Sequence, residues 1–187
     1  LLLQWLASLG EFSYPSNIIS RFYEAPYIGS LIHKIFIDLD FKGELFNTNN
    51  SDIFSSNLGK TKGPDAPHEF WYFWRRFFEF GEIQKLENIT SESTKALAFK
   101  KELMAIPYVF NKPLVLKGMI LNWDIGLLEK LFPKSLFIHL ERDPIYNMHS
   151  LYKARKNFFG DISQWYSFKP PEYDGLKNMT DLKQIAG

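Results

Sequence analysis

Cysteine is missing from all 187 residues. Without a thiol the chain has no disulfide framework, no thiolate zinc site and no cysteine nucleophile, while its compartment stays open. It also lacks an excess of either charge. The 22 basic and 21 acidic side chains leave a formal charge of +1, so no global field draws the chain to nucleic acid or an anionic membrane, and an anion site must be built locally. No apolar run approaches the roughly 20 residues of a spanning helix, and no basic-then-apolar leader is present, which points to the cytoplasm. What remains is a globular chain. Its 45% hydrophobic and 17% aromatic content suits a single domain with one substantial core.

Both ends read as incomplete. The chain opens on LLLQWLASLG, already inside an apolar helical pattern, and closes on MTDLKQIAG, a helix interrupted. Residues 1–9 look helical with Gly10 as the stop, and Pro15-Ser16-Asn17 signals a break before a second helix near Ile18. Residues 38–66, rich in Gly, Asn and Ser, read as a long surface excursion of the kind that covers a site. HEFWYFWRRFFEFG is crowded with aromatics at mixed helical spacing, which a core helix explains better than a substrate-facing surface. Arg75 and Arg76 would then solvate its outer face, with one of them free to meet an acidic or phosphate group. Residues 91–110 suit an amphipathic helix.

The next stretch sets the fold class. KPLVLKGMIL reads as a buried strand, IGLLEKLFP as a short helix and SLFIHLE as a second strand, with His139 as a core histidine. Strand, helix, strand at this spacing predicts a right-handed crossover and a parallel sheet, hence an α/β fold. In such sheets ligands bind at the carboxyl ends of strands, where the next helix begins. Arg142 stands at that address. Asp143 is a suitable N-cap and Pro144 a suitable first helical residue, so a guanidinium would meet the free amides of a helix start, an anion site by construction. Ser150, two turns further on, could reach the same anion; alternatively Arg142 pairs with a carboxylate and Ser150 is merely solvated.

At these residues a family resemblance enters. RDPIYNMHSLYKAR resembles the sulfotransferase segment that binds the 3′-phosphate of 3′-phosphoadenosine-5′-phosphosulfate, a strand followed by Arg-Asp-Pro and a helix with Ser eight residues after the Arg. The upstream LLEKLFPKSLFIHLERDP is similar to that family's usual approach to the motif. FFGDISQWYSFKPPEY and EFWYFWRRF are similar to stretches of its bacterial members. The likeness is strongest over residues 126–175. It implies a helix-rich, P-loop-NTPase-like three-layer α/β/α domain spanning residues 1–187, with the phosphosulfate loop lying before Leu1 and a basic, Gly-rich loop lying beyond Gly187. It also implies Arg142 and Ser150 as the residues holding the 3′-phosphate, and no metal.

Sulfuryl transfer needs a base for the acceptor hydroxyl or amine and cations for the leaving phosphate. VLKGMILN resembles the Lys-Thr-His triplet segment of cytosolic sulfotransferases, with Met119 where the histidine stands, so that role does not carry over. Lys117 matches the triplet's lysine, although a lysine at a strand's rim has structural uses too. Glu69 is the first candidate base and His68 the second; Glu69 could equally serve the N-terminus of its helix. Asn17, Arg21 and Glu24 lie where related enzymes contact the acceptor, a small molecule or a carbohydrate, though Arg21 also suits a surface ion pair. His33 and His149 carry no functional expectation. Two other readings stay open: a P-loop nucleotide-dependent phosphotransferase, and a non-catalytic binding protein on the same fold. Gly59-Lys60-Thr61 lacks the earlier glycine and the preceding strand of a Walker loop. The sequons at Asn49, Asn88 and Asn178 arise easily by chance.

Overall fold

The computed structural model describes residues 2–40, 44, 61–87 and 89–186. Most of the excursion expected at 38–66, together with Gly59, Lys60, Asn49 and Asn88, therefore lies outside the described residues. The described residues form helices, turns and two isolated bridges, and among them there is no strand. The parallel sheet, and with it the three-layer α/β/α fold, is overturned. They gather into two compact units, residues 1–79 with 88–122, and residues 80–87 with 123–187.

The first unit holds α1 (Leu2–Ser8), α2 (Asn17–Arg21), α3 (Pro26–Leu39), α4 (Trp71–Phe77), α5 (Thr94–Leu103) and α6 (Ala105–Phe110). Gly10 follows α1 at φ +72°, in the left-handed region a glycine enters without strain, and so ends the helix. Ser16 caps α2, its hydroxyl accepting from the Ile19 amide at 3.2 Å. The amphipathic helix expected over 91–110 is two helices, parted at Met104. Pro107 explains the break: it has no N–H to offer the Leu103 carbonyl four residues earlier, and its ring crowds that turn. α3 packs against α2 and α6. At the crossing with α2, a Cβ added to Gly29 would fall 2.8 Å from Phe22 Cβ, so the helices close on each other because that position has no side chain.

Aromatic rings make this unit's core. Phe73, Trp74 and Phe77 are buried on one side of α4, while Tyr72 is exposed. Phe70 stacks on Phe73 at 4.5 Å and 9°. Phe99 of α5 is fully buried and meets Phe73, Trp74, Phe77 and Phe78 at centroid separations of 4.9–5.7 Å. These tilted and edge-on contacts are the arrangements ring quadrupoles favour. The core reading of HEFWYFWRRFFEFG therefore holds. Arg76 leaves that core to donate to both Glu102 oxygens, at 2.6 and 3.3 Å, and to the Tyr23 carbonyl at 2.8 Å, so of the two arginines it is the one that meets an acid.

Residues 112–121 are not a strand. Leu114 makes one isolated parallel bridge to Ser13, and Met119–Leu121 turns into a 3-10 helix. A short apolar run looks alike in a buried strand and in a buried coil, and periodicity cannot separate them.

The second unit holds α7 (Ile125–Leu131), α8 (Pro144–Phe159), α9 (Tyr173–Leu176) and α10 (Asp181–Ala186). α8 packs on α10. Arg155 of α8 is buried and ties the unit together: it donates to the Ile162 carbonyl at 2.9 Å and to Gln184 at 3.0 Å, and its guanidinium lies 5.2 Å from the Trp165 ring centre. The second expected strand, 135–141, forms neither helix nor strand and has no pairing partner among the described residues. Leu136 is 93% exposed and Ile138 66%. His139, expected in the core, is exposed as well, 3.9 Å from Glu141. A strand is a pairing of backbones, and an apolar run without a second run to receive its N–H and C=O groups stays an open segment. Among the described residues no helix is long and apolar enough to cross a membrane.

Candidate functional site

Three of the expected site residues meet in the first unit. Residues 61–70 return across the start of α2, with His68 N donating to the Pro15 carbonyl at 2.7 Å and Asn17 N to the Ala66 carbonyl at 3.0 Å. This crossing delivers Glu69 to the start of α4. There Glu69 Oε1 accepts from Lys117 Nζ at 2.6 Å and Oε2 from the Trp71 indole at 2.6 Å. Its backbone carbonyl takes the Trp74 indole at 3.1 Å. Phe70, next in sequence, holds φ +57°, a left-handed backbone that a bulky residue adopts at a cost of about 1–3 kcal/mol. Burial of its ring against Phe73 offsets that strain and fixes the direction in which Glu69 leaves the chain.

His68 is fixed differently. Its Nδ1 accepts from the Phe70 amide at 2.8 Å, so the neutral ring carries its proton on Nε2 and presents a donor. Burial lowers its pKa; the Glu69 charge works against that, and the Arg21 guanidinium adds to it. His68 is thus neutral near pH 7 and suited to hydrogen-bond donation rather than to proton abstraction. Glu69 keeps a lone pair on each oxygen, and of the two candidates it is the one able to accept a proton.

The expected acceptor-contacting residues fare unequally. Asn17 is spent on structure, its amide donating to Gly63 O at 2.7 Å and Thr61 Oγ1 at 3.2 Å. Arg21 is exposed and close enough to His68 to depress its pKa. Glu24 is exposed, and no partner among the described residues holds it.

Arg142 and Ser150 belong to the second unit. α8 begins as the sequence predicts: Asp143 is the N-cap, its carboxylate accepts from the Ile145 amide at 2.8 Å, and Pro144 occupies the first turn. Arg142 is exposed immediately before that cap, and Ser150 is exposed on the helix. Neither side chain has a hydrogen-bond partner among the described residues. The carboxylate that would have neutralised Arg142 is not found there, although the sheet end expected to position it is not present either.

Sequence reading passed over a third cluster, also in the first unit. Asp65 Oδ1 accepts from Tyr14 OH at 3.0 Å and lies 2.8 Å from His33 Nε2, while His33 Nδ1 is 3.2 Å from Ser16 Oγ. Burial is the largest influence on Asp65 and pushes its carboxyl up, yet the hydrogen bond and charge of His33, with the Tyr14 hydroxyl, hold it below its ordinary value. Burial, then the Asp65 charge and hydrogen bond, push the Tyr14 phenol far above its own. Ser16–His33–Asp65 has the connectivity of a nucleophilic relay, but Ser16 is 0% exposed and its oxygen is committed to capping α2. No substrate carbonyl reaches it, so the chain of bonds is a structural one. Separations of 17 and 32 residues with no motif between them left no signal in the sequence.

Among the described residues no group of three His, Asp or Glu side chains is placed to hold a metal ion. Compared with known protein families, with curated proteins and with solved structures, the chain matches none.

Proposed function

We propose that the protein transfers a sulfuryl group from 3′-phosphoadenosine-5′-phosphosulfate to the hydroxyl or amine of a small-molecule or carbohydrate acceptor, in the cytoplasm. The observation that carries this reading is the start of α8. An exposed guanidinium, unpaired among the described residues, precedes a helix capped by Asp143 with Pro144 in its first turn, and an exposed serine hydroxyl, unpaired among the same residues, lies two turns on. That is the chemistry a phosphate monoester asks for: a forked cation, a field positive at the helix start and a hydroxyl donor. Arg142-Asp143-Pro144 with Ser150 is also the part of the chain that most resembles sulfotransferases. The reading rests on these residues and not on a parallel sheet.

In it, Arg142 and Ser150 hold the 3′-phosphate, and the bound donor supplies the sulfuryl group. Glu69 is assigned the acceptor's proton, and Lys117 orients it through its hydrogen bond to Oε1. His68, neutral with Nε2–H outward, is assigned hydrogen-bond donation.

Calorimetric titration with adenosine-3′,5′-bisphosphate tests the reading. Micromolar binding is expected, weakened roughly ten- to a hundredfold by Arg142→Ala, the loss of a charge-assisted contact of about 1.5–3 kcal/mol. The thermal unfolding of the variant should be unchanged, because Arg142 is exposed and its side chain makes no hydrogen bond or ion pair among the described residues. A folded wild-type protein that does not bind the nucleotide ends the proposal.

A further inference from the structure

A cavity of about 180 Å³ opens in the first unit beside the Tyr14–Asp65–His33 cluster. Phe12, Phe110, Ile37 and Ala7 give it apolar walls, and Asp65 and Lys112 bring charge to its lining. An apolar cavity of about 150 Å³ is enough to take up benzene, so this space admits a ligand of one ring or one branched chain. Its walls are set in advance: the His33 ring stands edge-on to Phe110 at 5.5 Å and 68°.

The carboxylate decides what kind of ligand. Both bonds Asp65 receives arrive at Oδ1, from Tyr14 and His33, which fixes the side chain without using Oδ2. Among the described residues nothing donates to Oδ2. Lys112 Nζ, also in the lining, makes no ion pair with it among the described residues and donates instead to the Gly10 carbonyl, at 2.5 Å. A fixed carboxylate in the lining of a cavity with aromatic walls, one of its oxygens short of a donor, is the complement of a primary ammonium on a small apolar body, since the rings attract the cation and the carboxylate takes its N–H. An anion would face the Asp65 charge. A neutral apolar guest would leave Oδ2 desolvated and unpaired.

We propose that the Asp65 cavity is a binding site for a small primary amine with an aromatic or branched aliphatic body. It is independent of the sulfuryl-transfer reading, since Glu69, Lys117, Arg142 and Ser150 do not line the cavity. The Lys112 ammonium at the lining opposes such a guest, so its removal should help binding while removal of the Asp65 charge abolishes it.

Three isosteric probes separate the outcomes: benzylamine, benzyl alcohol and benzoate, titrated into isotope-labelled protein and followed by NMR. Benzylamine is expected to shift the side-chain resonances of Tyr14, His33 and Phe110 and to bind at least tenfold more tightly than either other probe. Asp65→Asn should remove that preference, and Lys112→Met should tighten benzylamine two- to fivefold while leaving benzyl alcohol unmoved. Should Asp65→Asn fail to fold, Lys112→Met on the exposed rim still decides the matter. Equal binding of the three probes, preference for benzoate, or a Lys112→Met protein with unaltered benzylamine affinity overturns the proposal.

Discussion

Replacing Asp65 by Asn tests the charge at the centre of the first unit with almost no change in shape. Asparagine keeps a carbonyl oxygen where Oδ1 stands, so Tyr14 and His33 retain an acceptor at 3.0 and 2.8 Å. The charge is what goes. A hydrogen bond to an ionised group contributes about 1.5–3 kcal/mol against about 0.5–1.5 for a neutral one, so two such bonds lose roughly 2 kcal/mol together. The Asp65 side chain is 34% exposed, and solvent screening trims this to about 1–2 kcal/mol. With a urea m-value of about 1–3 kcal/mol/M, the midpoint at pH 7 should fall by roughly 0.5–1 M. The pH dependence is the sharper half. The folded-state pKa of Asp65 lies below the ordinary 3.8, so the stability it contributes is complete above pH 3.8 and is lost as pH falls below that through the folded value. Wild type and variant should therefore differ at pH 7, and the difference should shrink as pH falls below 3.8 towards the lowered folded-state value of Asp65. Urea titrations of both proteins at half-unit intervals from pH 7 to pH 3 measure this. A penalty that stays constant over the range would show that shape, not charge, was lost, and would refute the account of the cluster.

Three other substitutions probe separate links. Gly29→Ala gains about 1 kcal/mol of helix propensity but drives a Cβ to 2.8 Å from Phe22 Cβ, an atom anchored to its backbone. Overpacking of about 1–3 kcal/mol outweighs the gain, so the urea midpoint should fall; a rise would mean that α2 and α3 slide apart freely. Gln4 is 4% exposed and neither of its amide atoms finds a partner among the described residues. Gln4→Met keeps the volume, removes that desolvation cost and should raise stability by about 1 kcal/mol, read as an increased thermal midpoint. Ile138→Lys should change stability by less than about 0.5 kcal/mol, since that side chain is 66% exposed. A loss of several kcal/mol, measured in urea, would put residue 138 back in a packed sheet.

Signals confined to a few neighbouring residues were legible in the sequence. The Asp143 cap with Pro144 behind it, the stop at Gly10 and the break at Pro15-Ser16-Asn17 are local matters of dihedral angle and hydrogen bonding, and the structure has each of them. The aromatic crowding of 70–80 announced a core because rings at that spacing have nowhere else to go. The pairing of Glu69 with Lys117 joins two candidates that the sequence offered separately. The absence of strands was not legible, because PLVL and SLFIHL have the apolar content of strands and do not say whether anything pairs with them. Nor was the Tyr14–Asp65–His33 cluster, whose members come from three stretches with unremarkable neighbours.

The sequence by itself determined the stop of α1 at Gly10, the capped starts of α2 and α8 and which rings of α4 are driven from water, since capping geometry and hydrophobicity act over a few residues. Tertiary structure alone decided that the apolar run at 136–140 stays open, that His68 spends its Nδ1 lone pair on the Phe70 amide, and that Asp65 stands between Tyr14 and His33. Each of these depends on which distant segment arrives alongside, and long-range contacts are set by the packing of the whole unit.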